Sequence, residues 1–438
     1  MKIKDVLQRD PDTFPLVNQG QARIVDSHNA KALEELRGEL STFVCEGQYA
    51  DGVQRIIRSY LDSLGKTNQK AAWVSGFFGS GKSHLLKMLC HLWQDTAFPD
   101  GATARAIVPA MPDELRELLR ELDTAGRRAG GLLAAAGSLP SGTTDQVRLT
   151  ILGILLRAVG LPEQYPQARF CLWLHSQGYF DKVKASVEAA GKAFDRELNN
   201  LYVSGPIAKA LLACDPGYAS SDAEARQTLR ASYPPMARDI TTEEFLSTVK
   251  EALKLHGRDG RTPCVLLILD EVQQYIGESN DRSVLVTEVA EAVCKQLDSQ
   301  VMIVGAGQSA LTDVPLLQKL MDRFTIRVPL SDAEVEQVTR KVLLHKKPAS
   351  VGEVRKLLDA NAGEISRQLQ GTRIGEVVED RAVIVEDYPL LPVRRRFWEN
   401  CFRQIDAAGT HSQLRSQLRI IYDAIKKISG RPLGAVVP

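Results

Sequence analysis

Eight consecutive residues have the spacing of a phosphate-binding loop. Residues 76–83 read GFFGSGKS and match the pattern G-x-x-x-x-G-K-[ST] at every fixed position. In such a loop the glycines let backbone N–H groups turn inward around a phosphate. The lysine reaches the β and γ oxygens, and the last hydroxyl can ligate Mg²⁺. The pattern predicts that ATP and Mg²⁺ are bound by Gly76, Phe77, Phe78, Gly79, Ser80, Gly81, Lys82 and Ser83.

His84 follows this loop directly, and we count it with the predicted nucleotide site. A histidine more often only packs against neighbouring side chains or faces solvent. Both interpretations stay open at the level of the sequence.

A second signal is a hydrophobic run that ends in two carboxylates, VLLILDE at residues 265–271. Asp270, at the tip of a buried strand, is expected to hold Mg²⁺ through water, with Ser83 as the other metal ligand. Glu271 is expected to orient and polarise the attacking water, because phosphoryl transfer depends mainly on positioning and electrostatics. A hydrophobic run that ends in two acidic residues occurs in many proteins. It is significant here because a phosphate-binding loop precedes it in the sequence. Together the two motifs predict ATP hydrolysis.

A polar residue after the next strand is the candidate γ-phosphate sensor. Residues 301–304 (VMIV) lead into Gly-Ala-Gly, Gln308 and Ser309. In this class of sheet that strand lies between the phosphate-loop strand and the Asp-Glu strand. We therefore predict Gln308 as the sensor, with Ser309 second, and an ordinary strand-to-helix turn as the alternative.

Strands that alternate with helices must position these residues. Short apolar runs predict five strands, at residues 71–75, 131–136, 265–269, 301–304 and 325–328. Helical spacing and capping residues predict helices among them at 51–64, 84–93, 146–159, 241–256 and 283–297. This alternation predicts an α/β fold, a parallel sheet with helices on both faces.

The chain is expected to comprise three parts. Residues 1–70 form an N-terminal lead-in with a helix, residues 71–330 the core, and residues 331–438 a small helical lid. The segment at about 160–240 reads as a large helical insertion in the core. Its aromatic residues are expected to pack within its own interior: Phe170, Trp173, Tyr179 and Phe180.

The composition argues against several partners. With 55 basic and 54 acidic residues, the net charge of +1 gives no overall field toward nucleic acid or a membrane. No signal peptide and no membrane-length apolar run is present, and the seven scattered cysteines suit a reduced cytoplasm. The densest basic run, residues 394–396, is followed by Phe397 and Trp398. That run either contacts nucleic acid or is solvated or paired within a domain interface.

These motifs and the helical lid resemble AAA+ ATPases of the replication-initiator and origin-recognition kind. A more specific resemblance, which covers almost the whole chain, is to the BrxC family of P-loop ATPases in BREX bacteriophage-exclusion systems. The motifs that carry it are GFFGSGKSH (76–84), LDEVQQYIG (269–277), GAGQSAL (305–311), LMDRF (320–324), DYPLLPVRRRFWE (387–399) and SQLRSQLR (412–419). Family members are much longer, so this chain is expected to be an N-terminal fragment. The resemblance implies bacterial antiviral defence, with the BREX methyltransferase and PglZ-type protein as partners.

The resemblance also assigns expected roles to arginines. Arg323, in LMDRF before the last strand, stands where AAA+ ATPases have an arginine finger that enters a neighbouring subunit's site, which implies a homo-oligomer. Arg327 is its substitute, and a salt-bridged surface arginine is the alternative. In the lid, Arg415 and Arg419 lie one helical turn apart, and we prefer Arg415 as the residue that contacts the γ-phosphate.

Three functions fit these expectations. The first is an oligomeric motor or switch that remodels or loads a defence complex on DNA. The second is a nucleotide-gated assembly scaffold with little turnover. The third is a DNA translocase, although the sequence shows no additional helicase motif.

Overall fold

The computed structural model describes residues 1–14, 30–76, 80–139, 146–308, 310–312, 314–331, 333–369, 375–405 and 413–437. Within them five strands form one sheet: β1 Ala72–Ser75, β2 Leu132–Ser138, β3 Cys264–Asp270, β4 Val301–Gly307 and β5 Ile326–Pro329. All neighbouring strands are parallel, in the order β2-β3-β4-β1-β5. Each of the five predicted strands overlaps an observed one, so the predicted α/β fold with a parallel sheet is confirmed.

Helices occupy most of the remaining described chain. Before β3 they are α1 Ile3–Val6, α2 Ala30–Thr42, α3 Gly47–Ser63, α4 Lys82–Gln94, α5 Ala104–Ile107, α6 Asp113–Arg128, α7 Val147–Ala158, α8 Tyr165–Ser176, α9 Phe180–Ala189, α10 Phe194–Asn199, α11 Gly205–Cys214, α12 Asp222–Ser232 and α13 Thr242–His256. After β3 they are α14 Val272–Ile276, α15 Asn280–Gln296, α16 Pro315–Gln318, α17 Ala333–Val342, α18 Pro348–Leu369, α19 Asp380–Asp387, α20 Pro392–Ile405 and α21 Gln413–Ile428. A short 3₁₀ turn, Arg258–Gly260, precedes β3. The described residues contain no helix that is both long and apolar enough to cross a membrane.

Side-chain alternation along the strands divides the interior into two cores. In β3, Val265, Leu267 and Leu269 face one apolar cluster, and the residues between them face a second cluster on the other side of the sheet. The first cluster includes residues of α7, α13 and α15, and the second includes residues of α3, α4 and α6. Because strand side chains alternate between the two faces, a strand buried on both sides needs apolar residues throughout.

The aromatic residues of the segment between α7 and α13 pack inside the protein, as predicted. Phe170 is fully buried and stacks on Trp173, with ring centroids 6.1 Å apart. Tyr179 contacts Trp173 edge-on, and Phe180 meets Phe194 in the same way. These ring contacts join helices α8 to α10 to one another.

A third apolar cluster joins the C-terminal helices to the first residues of the chain. It combines Ile3 and Val6 of α1 with residues of α17, α18, α19 and α21. The backbone N–H of Ile3 donates to the carbonyl of Arg431, and the Tyr422 hydroxyl donates to the carbonyl of Pro11 at 2.9 Å. Residues 1–14 therefore pack with the C-terminal helices.

Charged side chains hold the same helices together. Asp387 is completely buried and accepts hydrogen bonds from Nε of Arg340 at 2.6 Å and from Nε of Arg395 at 3.1 Å. Arg396 pairs with Asp380. Two arginines of the basic run at 394–396 are thus engaged inside the protein, which corresponds to the paired interpretation of that run.

Candidate functional site

The predicted chemical residues meet at the carboxyl edge of the sheet. β1 leads directly into Gly76, β3 ends at Asp270, and β4 leads into Gln308. β4 pairs with both β1 and β3, so Gln308 follows the strand between the other two, as the sequence predicts. In open α/β sheets this edge is the place where ligands bind.

Two positions of the phosphate-binding loop favour glycine. A Cβ atom on Gly76 would lie 2.5 Å from Oγ of Ser80 and 3.0 Å from the carbonyl oxygen of Leu330. Gly81 has a φ of 87° and is the N-cap of α4, so its conformation is one that other residues adopt at a cost. Oγ of Ser80 is buried and has no hydrogen-bond partner among the described residues. Residues 77–79, which include Phe77, Phe78 and Gly79, lie outside the described residues.

The two predicted metal ligands touch each other. Oγ of Ser83 donates a hydrogen bond of 2.6 Å to Oδ2 of Asp270, which is 187 positions later in the sequence. A hydroxyl and a carboxylate oxygen suit Mg²⁺, which usually keeps several waters and takes its other ligands from substrate phosphates. Among the described residues no three His, Cys, Asp or Glu side chains gather as a metal cage. The donor set therefore fits a Mg²⁺ ion that arrives with a nucleotide.

Lys82 reaches back to the first residue of the same loop. Its Nζ donates a hydrogen bond of 2.6 Å to the carbonyl oxygen of Gly76. Burial lowers the pKa of Lys82, and the negative charge of Asp270 opposes that shift. An ammonium held beside the first turn of α4 adds to the positive end of that helix. Both features favour an anionic ligand at this point.

Glu271 has an unusual backbone conformation. Its φ of 59° and ψ of 25° fall in the left-handed region, which is uncommon for residues other than glycine and clusters at functional sites. Its N–H donates to Oδ1 of the preceding Asp270 at 2.8 Å. Burial raises the pKa of the Glu271 carboxyl, and the neighbouring charge of Asp270 raises it further. A carboxylate with a raised pKa is a better proton acceptor near neutral pH.

His84 follows the packing interpretation. Its ring contacts Phe43 edge-on, with centroids 5.8 Å apart. Burial lowers the pKa of His84 to about 4, and the charge of Lys87 acts in the same direction. At that pKa the imidazole is neutral at pH 7, and a contact of His84 with the nucleotide stays a prediction.

Two contacts at this site have no counterpart among the sequence predictions. The buried hydroxyl of Tyr49, in the first turn of α3, donates a hydrogen bond of 2.8 Å to the carbonyl oxygen of Ser80. Oε1 of Gln273 accepts a hydrogen bond of 2.7 Å from the N–H of Gln308. Tyr49 lies four residues before Val53 and so continues the apolar helical spacing of residues 51–64, which is a signal of burial. No sequence signal indicates either bond.

Gln308 is exposed at the end of β4, directly beside the Asp-Glu turn. Ser309, the second choice for the sensor, lies outside the described residues. The position of Gln308 agrees with the predicted sensor, and its contact with a γ-phosphate stays a prediction.

Arg323 lies at the opposite edge of the sheet. Its carbonyl accepts a hydrogen bond from the N–H of Ala71, directly before β1, whereas the phosphate-binding loop follows the other end of β1. A strand of four residues separates the two edges by about 13 Å. Nη2 of Arg323 forms an ion pair of 2.9 Å with Oε2 of Glu291 in α15. Arg323 therefore stands far from the phosphate loop of its own chain, and the ion pair of the alternative interpretation is present.

The other arginine candidates are less closely defined. Arg327 is exposed on β5, level with Trp73 of β1. Arg415 belongs to α21, but its side chain lies outside the described residues. Arg419, one turn later in the same helix, is exposed. The assignment of finger and lid sensor stays a prediction.

No protein-family model matches this chain. The case for a function therefore depends on the chemistry of the residues at the carboxyl edge of the sheet.

Proposed function

We propose that this protein binds ATP with Mg²⁺ at the carboxyl edge of its sheet and hydrolyses it to ADP and phosphate. The observation that carries the proposal is the hydrogen bond of 2.6 Å between Ser83 and Asp270. It unites the ends of two motifs that lie 187 residues apart, and both side chains have the chemistry of Mg²⁺ ligands. A glycine-rich turn that matched by chance would have no reason to meet the second motif.

Each residue of the site has its own role in the proposed reaction. The loop between Gly76 and Ser83 and the N-terminus of α4 receive the phosphates, and Lys82 supplies a positive charge to the β and γ oxygens. Ser83 and Asp270 would hold Mg²⁺, which when bound would neutralise negative charge on the phosphates. Glu271 orients a water molecule and accepts its proton, for which its raised pKa is suited.

Lys82→Ala is expected to weaken ATP binding by about 10- to 100-fold, because it removes charge-assisted hydrogen bonds worth about 1.5–3 kcal/mol. The measurement is titration calorimetry with ATP and Mg²⁺. Lys70→Ala is the matched control, since Lys70 is exposed beside the amino end of β1, away from the loop. ATP affinity that is the same in both variants would count against the proposed site.

The wider function that we propose is that of an AAA+ ATPase, a homo-oligomeric motor or switch in bacterial antiviral defence. Support comes from the motif order, the parallel sheet with β4 between β1 and β3, and the helices that follow β5. Its role is to remodel or load a defence complex on DNA, with a methyltransferase and a PglZ-type protein as partners. The defence context is proposed from the resemblance to the BrxC family.

A plating assay tests this wider role. In a bacterial host that carries this protein in its defence system, Lys82→Ala is expected to abolish protection against phage. Lys70→Ala is expected to preserve it. Equal protection in the two strains would show that defence does not depend on ATP binding at this site.

A further inference from the structure

A short helix begins directly after the Asp-Glu turn and lies against the neighbouring strand β4. The left-handed conformation of Glu271 reverses the chain after β3 and starts α14, Val272–Ile276, and Gly277, with φ 51°, ends it. Residues of α14 lie against β4. The backbone therefore places Gln273, two residues after Glu271, over the end of the next strand.

The Gln273 side chain lies beside a glycine at the end of β4. Its Oε1 accepts a hydrogen bond of 2.7 Å from the N–H of Gln308. The last residue of β4 is Gly307, on which a Cβ atom would lie 2.9 Å from Oε1 of Gln273 and 2.4 Å from the Trp73 ring. A side chain at position 307 would therefore displace the amide of Gln273 or the indole. The contact depends on glycine at this point.

We propose that Gln273 is a positioning residue for ATP hydrolysis. Through the backbone of Gln308 it fixes the predicted γ-phosphate sensor relative to Glu271, the predicted base, which lies on the same turn as Gln273 itself. The hydrogen bond thereby keeps Glu271 and Gln308 in a fixed position relative to each other. This inference rests on the proposed ATPase function and adds a residue that acts through Gln308 and need not touch the nucleotide.

The chain supplies a matched control at the next position. Gln274 has the same side chain in the same helix but is exposed. Gln273→Met keeps most of the side-chain volume and removes the acceptor, so it is expected to lower kcat about tenfold, the cost of one lost hydrogen bond. Its Kd for ATP is expected to stay within about twofold of the wild-type value, because the phosphate loop and Lys82 are unchanged. Gln274→Met is expected to leave both constants unchanged.

A double-mutant cycle distinguishes positioning from a general loss of stability. If Gln273 acts through the side chain of Gln308, then Gln273→Met is expected to lower kcat less than twofold in a Gln308→Ala background. An equal loss of kcat in both backgrounds would overturn the proposal, as would a kcat equal to that of Gln274→Met. These two outcomes apply where the wild-type protein turns over ATP. A wild-type protein without turnover would overturn the proposed function itself, and this inference with it.

Discussion

Glu271→Gln is expected to bind ATP as tightly as the wild-type protein and to hydrolyse it about 10²- to 10⁴-fold more slowly. The amide has nearly the same shape as the carboxylate, so the left-handed turn, the Ser83–Asp270 pair and Lys82 all remain. It cannot accept a proton, so water activation is lost. Calorimetry measures the binding, and phosphate release measures the turnover.

Glu278→Gln is the control for this substitution, because Glu278 is exposed just after α14 and carries the same charge. The pH profile gives a second readout. Burial raises the pKa of Glu271, so wild-type turnover should fall, as the pH is lowered, at a higher pH than for an exposed glutamate. This acid limb should be absent from the residual activity of Glu271→Gln. Phosphate release at the wild-type rate in that variant would remove Glu271 from the proposed role.

Arg323→Ala is expected to bind ATP normally and to lose about 10³- to 10⁵-fold in turnover, the range known for arginine fingers. The reason is geometric: Arg323 lies at the amino edge of the sheet, and the phosphate loop of its own chain follows the carboxyl edge. As a finger, Arg323 would have to act on a neighbouring subunit. Activity per subunit of the wild-type protein should accordingly rise with protein concentration as oligomers form.

Mixed assemblies provide the decisive measurement for Arg323. An Arg323→Ala subunit retains Glu271, and a Glu271→Gln subunit retains the finger, so an interface between them has one complete site. Random one-to-one mixing of head-to-tail subunits makes about one interface in four competent. Recovery of about a quarter of wild-type activity is therefore expected. Mixtures that demonstrably co-assemble and stay inactive would refute action between subunits.

The ion pair with Glu291 supplies the control that separates a finger from a structural arginine. Glu291→Gln removes the ion pair and leaves Arg323 in place. The finger interpretation predicts that this variant retains most of its turnover, whereas Arg323→Ala does not. Equal losses in the two variants, with equal losses of thermal stability, would identify a structural salt bridge and return the search for the finger to Arg327.

Local sequence patterns predicted the sheet because its strands are short, apolar and buried on both faces. Residues 265–269 and 301–304 are apolar at every position, as expected for strands buried on both faces, and the polarity of parallel strands brings the ends of β1 and β3 to the same edge of the sheet. The left-handed turn at Glu271 was not predicted, since glutamate has no preference for it. The bonds of Tyr49 to Ser80 and of Gln273 to Gln308 join residues 31 and 35 positions apart. They depend on how α3 and α14 approach the sheet, which no local pattern encodes.

The packing of residues 1–14 with the C-terminal helices restricts how those helices can move. Two further contacts join this group to the last turn of α2 and the segment that follows it: Val44 belongs to the same apolar cluster as Ile3, and Nη2 of Arg9 donates a hydrogen bond of 3.1 Å to the carbonyl of Ser41. A displacement of the C-terminal helices therefore has to break these contacts or carry the first residues of the chain along.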